Sequence, residues 1–275
     1  MNLCEILSFS FVQRAILAGA LIAAVCSILG VFLVLRRMSL IGDGLAHITF
    51  GSVAVVLLVG ISPLYITLAA LPLVILSSLA ILHLTRSKKI QGDAAIGIVS
   101  SIGIAVGIVL ASLSGGYNVD LFSYLFGNIL TVNQTELFLS FIFFIIAVGC
   151  VIFFYPDLFA VTFDEELAQS MGIKTKRINV LLLILTAVAA VLAMKVTGVM
   201  LVTAMLILPP LAALQLSISF RMTIIVSAVF AILSVICGIT VSFLLNLPAG
   251  GTIVIVNVIL LLLIIGIKKI FPASR

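Results

Sequence analysis

Apolar runs of about twenty residues follow one another along almost the whole chain, separated by short polar clusters. The runs fall at about 13 to 35, 40 to 60, 63 to 84, 93 to 113, 135 to 155, 178 to 197, 199 to 217, 222 to 245 and 250 to 267. Each is long enough to cross roughly 30 Å of hydrocarbon as an α-helix. None shows the two-residue alternation of a membrane barrel strand, and a helix satisfies all its backbone groups within one segment. The pattern predicts an all-α integral membrane protein, a polytopic bundle of eight or nine transmembrane helices, with residues 1–275 forming a single transmembrane domain.

The polar clusters carry direction. Arg36 and Arg37 follow the first run, Arg86, Lys88 and Lys89 the third, Lys174, Lys176 and Arg177 the fifth, Arg221 the seventh, and Lys268 and Lys269 the ninth. Cations after every odd run predict that those loops and the C-terminus are cytoplasmic and that the N-terminus is outside. Arg14 and Lys195 lie near outer ends, where a long side chain can snorkel to the interface. Two connections exceed a turn. Ser114 to Thr135 is semi-apolar and predicts an outer re-entrant or interfacial helix, while Tyr155 to Asn179 is the most polar stretch and predicts contact with a soluble partner.

Composition narrows the class further. Hydrophobic residues make up 64% of the 275 and charged residues 8%, against roughly 25% charged in a soluble domain, so the surroundings are lipid. The formal charge of +5 sits at the ends of runs rather than in one patch, which excludes a nucleic-acid surface. Cys4, Cys26, Cys150 and Cys237 stand singly, without C-x-x-C spacing, and read as apolar packing. The opening MNLCEILSFSFVQRAIL lacks a basic stretch and a small-residue cleavage site, so it is expected to be retained.

Within the inner connection, FDEELAQSMGI at 163–173 has helix grammar. Asp164 can cap, Glu165 and Glu166 occupy the first turn where the helix dipole favours anions, and Gly172 stops the helix. Phe163, Leu167, Met171 and Ile173 share roughly helical spacing, so this face either enters a partner's groove or rests on the bilayer. Glu166, Ala168 and Gly172 read E-x-A-x-x-x-G, which resembles the loop by which permeases of ATP-binding-cassette importers meet their ATPases. The chain has no G-x-x-x-x-G-K-[ST] phosphate loop. Read this way it is a transport subunit rather than an enzyme, with ATP bound and hydrolysed on a separate ATPase subunit and no covalently bound cofactor.

The second run opens with RRMSLIGDGLAHITFGS, residues 36–52, which sets Asp43 and His47 four apart on one helical face. Ionisable residues inside a span are costly and line cavities or substrate paths. A carboxylate oxygen with an imidazole nitrogen suits a borderline divalent ion. Gly42, Gly44 and Gly51 thin the helix around the pair. The other reading has Asp43 capping the helix and His47 making a buried hydrogen bond. Two ligands leave a tetrahedral site incomplete, whereas two copies across a two-fold axis would bring two Asp43 and two His47 together in a homodimer.

RRMSLIGDGLAHITFG resembles the signature of the zinc, manganese and iron permeases of ATP-binding-cassette importers. DLFSYLFGNIL at 120–130, FDEELAQSMGI at 163–173 and TGVMLVTAMLILPPLAA at 197–213 match that family in order. NLPAGGTIV at 246–254 resembles its D-x-P-S-G-A-T-I-V, with Asn246 where an acid is common. The resemblance implies a homodimeric permease in a bacterial plasma membrane, served by two ATPase subunits inside and an extracellular or periplasmic metal-binding protein outside. It places the metal path on Asp43 and His47 and the coupling helix on 163–173. GDGLAHITFG is closer to the zinc-type pattern than to the manganese-type, so Zn²⁺ is favoured over Mn²⁺ or Fe²⁺ as cargo. Asp120 stands as a candidate for external docking, Pro209 and Pro210 as a gate or a packed kink, and His83 as an interfacial histidine. A secondary carrier or channel would need no ATPase. An intramembrane metalloenzyme would need an H-E-x-x-H that the chain lacks.

Overall fold

The structure is a computed structural model that describes residues 10–60, 65–86, 92–113, 127, 133–216 and 219–270. Among the described residues eleven helices follow in chain order: α1 (Ser10–Leu35), α2 (Ile41–Leu58), α3 (Ile66–Arg86), α4 (Gly92–Leu113), α5 (Gln134–Phe153), α6 (Tyr155–Phe163), α7 (Glu165–Ser170), α8 (Thr175–Thr197), α9 (Val199–Gln215), α10 (Phe220–Leu245) and α11 (Ala249–Ile270). No strand occurs among the described residues. Residues 114–126, with Asp120 and most of the expected outer helix, lie outside them.

Among the described residues eight helices, α1 to α5, α8, α10 and α11, are long and apolar enough to cross a membrane. The seventh sequence run becomes α9, whose 17 residues span only about 25 Å at 1.5 Å per residue. Contacts nonetheless fix its direction. The start of α8 is tied to α7 through Asn179 and Glu165, so α8 leads away from that end, and Gly198 alone joins it to α9. Phe220, just beyond α9, packs again beside Phe159 and Phe163 of α6, at ring separations of 5.2 and 5.7 Å. The short helix therefore carries the chain back across the bundle.

Burial follows the same order. Helices α1, α2 and α8 form the interior, with Leu29, Phe32, Leu33, Leu45, Leu182 and Met194 fully enclosed, whereas α4, α5, α10 and α11 present long apolar faces outward. Small residues allow the interior helices to approach closely where lipid offers no hydrophobic drive. One such approach is α2 against α4: a methyl group at Gly103 would stand 2.7 Å from the His47 carbonyl oxygen and 2.7 Å from Ile48 Cα.

Pro209 and Pro210 are buried inside α9. Proline has no N–H, so Pro210 leaves the Leu206 carbonyl, four residues back, without its helical donor. That carbonyl faces Gly30 of α1, where a side chain would collide with it. The proline pair thus makes an interhelical seat in this structure.

Two helix ends are fixed by left-handed residues. After α1, Arg37 has φ 57°; its N–H donates to Val34 O at 3.1 Å and that of Met38 to Leu33 O at 2.9 Å, the Schellman arrangement. After α10, Asn246 has φ 51° and ψ 42°, and the Leu247 N–H donates to Ser242 O at 3.0 Å. Asparagine tolerates this region better than most side chains, which gives Asn246 a local conformational role.

Candidate metal path and coupling loop

Asp43 sits in the first turn of α2, but the N-cap is Leu40 and no side chain caps the helix. The capping alternative therefore does not describe Asp43. One turn on, His47 Nε2 lies 3.4 Å from Asp43 Oδ1, with 22% of the His47 side chain and 50% of the Asp43 side chain exposed. The rest of the helix around them is buried: Gly42, Gly44, Leu45, Ala46 and Ile48. Two polar groups on a buried, apolar helix thus share one open face. Gly103 and Gly51 set the backbone of α4 against that of α2 at His47 and Ile48, so the position of His47 depends on α4. Among the described residues, no group of three or more His, Cys, Asp or Glu side chains is close enough to hold a metal ion. Asp43 and His47 therefore stand together as a pair, without a third such side chain beside them among the described residues. His83 is exposed near the end of α3.

The connection between α5 and α8 folds as α6 and α7. Asp164 caps α7, its Oδ1 accepting from the Leu167 N–H at 2.9 Å, with Glu165 and Glu166 in the first turn. Gly172 ends it at φ +85°, and the Ile173 N–H closes the turn on Ala168 O at 3.1 Å. Ala168 is buried against the bundle, while Phe163, Leu167 and Met171 stand exposed. Ile173, grouped with them by spacing, instead packs against the core.

Two grips hold this loop. The first is aromatic, with Tyr155, Phe159 and Phe163 surrounding Phe220 of α10 and Phe32 of α1 stacking edge-on at 5.5 Å. The second is polar and was not foreseen from the sequence. Arg36, just past α1, donates from Nη2 to Asn179 Oδ1 of α8 at 2.6 Å and to Glu165 Oε2 at 3.3 Å. Asn179 Nδ2 closes the triangle on Glu165 Oε1 at 2.7 Å. The Arg36 side chain is only 8% exposed. Burial draws its pKa below the ordinary arginine value, and the Glu165 carboxylate opposes that shift. No motif could have revealed a triangle whose members are 129 and 143 residues apart.

The family model for the ABC 3 transport family matches residues 8–268. The chain belongs to that family. It is a membrane transport subunit, not an enzyme. The relatives include the manganese transport system membrane protein MntC of Halalkalibacterium halodurans, 33% identical over 92% of this chain and 85% of that protein. The high-affinity zinc uptake system membrane protein ZnuB of Haemophilus influenzae is 31% identical over 93% of this chain and 97% of its own length. Among solved structures, PsaBC from Streptococcus pneumoniae in complex with Fab matches with a TM-score of 0.85 and 30% identity, covering 95% of this chain and 94% of that one. The all-helical architecture expected from the apolar runs is thus the family's architecture.

Proposed function

We propose that the chain is the permease of an importer that carries a divalent transition metal into the bacterial cytoplasm, with Asp43 and His47 as the ion's contacts in each subunit. The observation that carries this reading is the partly open Asp43–His47 pair, 3.4 Å apart on an otherwise buried and apolar helix. A carboxylate and an imidazole offer a borderline ion two good ligands. An incomplete set suits transport, because an ion that is passed on must also be released. Two copies would bring two such pairs together across a two-fold axis.

An external metal-binding protein delivers the ion in this scheme, and a cytoplasmic ATPase supplies the energy through α7. The exposed Phe163, Leu167 and Met171 form the apolar face for that partner, with Glu166 beside them. The end of the bundle that carries Arg36, α7 and Phe220 is then cytoplasmic, which places the N-terminus outside and the C-terminus inside. Zn²⁺ is the favoured cargo on the GDGLAHITFG pattern. Mn²⁺ is the second reading, supported by the relatives named for manganese transport.

The test is uptake of labelled Zn²⁺ and Mn²⁺ by vesicles holding the permease with its ATPase and metal-binding protein. Asp43→Ala and His47→Ala are each expected to abolish uptake while the assembled complex still hydrolyses ATP, and the isotope that enters faster names the cargo. Normal uptake by both variants would remove the pair from the ion path, and wild-type uptake without the ATPase would favour a secondary carrier.

A further inference from the structure

The three residues Arg36, Glu165 and Asn179 come from three parts of the chain that the fold brings to one end of the bundle: the exit of α1, the first turn of α7 and the first turns of α8. Their hydrogen-bonding capacity is turned inward on itself. Glu165 uses one oxygen for Arg36 and the other for Asn179, and Asn179 uses its oxygen for Arg36 and its amide nitrogen for Glu165. Each member therefore holds the other two, so none can move far without breaking two bonds. Glu166, next in sequence, is exposed and takes no part in the triangle.

What lies beyond Arg36 gives the triangle its consequence. The chain passes through the Schellman turn at Arg37 and Met38, and the Ile41 N–H donates to Met38 O at 3.1 Å and the Gly44 N–H to Leu40 O at 3.1 Å. Arg36, Arg37, Met38, Leu40 and Ile41 thus each take part in a backbone hydrogen bond on the short path from the triangle to α2. Asp43 stands in that first turn.

We propose that the Arg36–Glu165–Asn179 triangle is a strut that makes α7 and the first turn of α2 move as one body, so that displacement of the coupling loop is delivered to Asp43 and His47. Glu165 and Glu166 then divide the work: Glu166 faces the partner and Glu165 faces inward to transmit. Arg36 and Asn179 are positioning residues, because they act on the ion only through α2. The proposal rests on the reading of α7 as the ATPase contact.

The test uses the complete transporter, permease with ATPase and metal-binding protein, in vesicles. Glu165 is 46% exposed, so Glu165→Ala is a substitution the fold should tolerate, and Asn179→Ala is the second variant. Metal moved per ATP hydrolysed is read together with the distance between spin labels at the exposed positions 40 and 169, the latter off the apolar face of α7, with and without a non-hydrolysed ATP analogue. A purely structural role would lower the amount of assembled complex and leave the ratio alone. The strut requires the ratio to fall roughly tenfold, within the usual scale of coupling between sites, and the label distance to broaden. Glu165→Gln, which keeps an oxygen for Arg36 and an amide beside Asn179, should recover part of the ratio. A wild-type ratio and an unchanged, narrow distance distribution in both alanine variants would overturn the proposal. Wild-type uptake that needs no ATPase would instead remove the coupling role of α7, and the label distances would then decide alone whether the triangle joins α7 to α2.

Discussion

Replacing Gly103 by alanine tests whether the proposed ion path depends on a backbone contact between two helices. The added methyl would lie 2.7 Å from His47 O, 2.7 Å from Ile48 Cα and 2.8 Å from Ile48 N. All three are main-chain atoms of α2 and cannot rotate aside. Ordinary contact begins near 3.4 Å, so the two helices have to part by about 0.7 Å at the turn that carries His47. Overpacking of this kind costs roughly 1–3 kcal/mol. Against it stands the gain from glycine to alanine inside a helix, about 1 kcal/mol, leaving a net loss of about 0–2 kcal/mol. Gly149 of α5 supplies the control, since nothing lies within 4 Å of a methyl group placed there. Gly149→Ala should therefore be neutral or stabilising, and the two variants should differ by the overpacking term alone. Reversible unfolding in mixed micelles, followed by helical circular dichroism, measures that difference, and vesicle uptake measures the displacement of His47. Equal stability of the two variants together with wild-type uptake by Gly103→Ala would refute the close contact.

Other outcomes follow from local geometry. Arg37→Gly removes a side chain from left-handed backbone and should raise the unfolding free energy by up to about 1 kcal/mol; a loss of stability would show that the Arg37 side chain outweighs its backbone strain. Gly172→Ala meets no neighbouring atom but keeps φ +85°, a strain of about 1–2 kcal/mol, so α7 should end loosely and the ATPase should bind less tightly in a pull-down titration. The Thr252 hydroxyl of α11 lies within donating distance of Gly238 O of α10, at 2.9 Å, and of Ala249 O of its own helix, at 2.8 Å. Thr252→Val should therefore cost about 0.6 kcal/mol, the usual worth of such a bond in a membrane, in the same unfolding assay.

The helices were legible because twenty apolar residues in a row have few other solutions. Capping of α7 by Asp164 was legible as well, since a cap is a local hydrogen bond between residues three apart. Less local features were not. The proline pair announced an interruption of α9, but only the packing shows that the freed Leu206 carbonyl is met by Gly30. Asp43 could be read as a helix cap until the structure set Leu40 at the N-cap. Glu165 was visible as a first-turn acid, yet its partners Arg36 and Asn179 lie in segments that the sequence gives no reason to join. Asn246 departed from the family pattern in charge, and its left-handed conformation supplies a reason that a pattern of residue types does not contain.

The single-residue turn at Gly198 also bears on how the protein is made. A segment of 17 residues interrupted by two prolines is below the roughly twenty apolar residues that specify a span, so α9 is poorly equipped to halt or restart translocation by itself. Joined to α8 by one glycine, it can enter the bilayer as the second limb of a helical hairpin. The preceding helix then serves as an insertion template during synthesis, before any metal or nucleotide is involved.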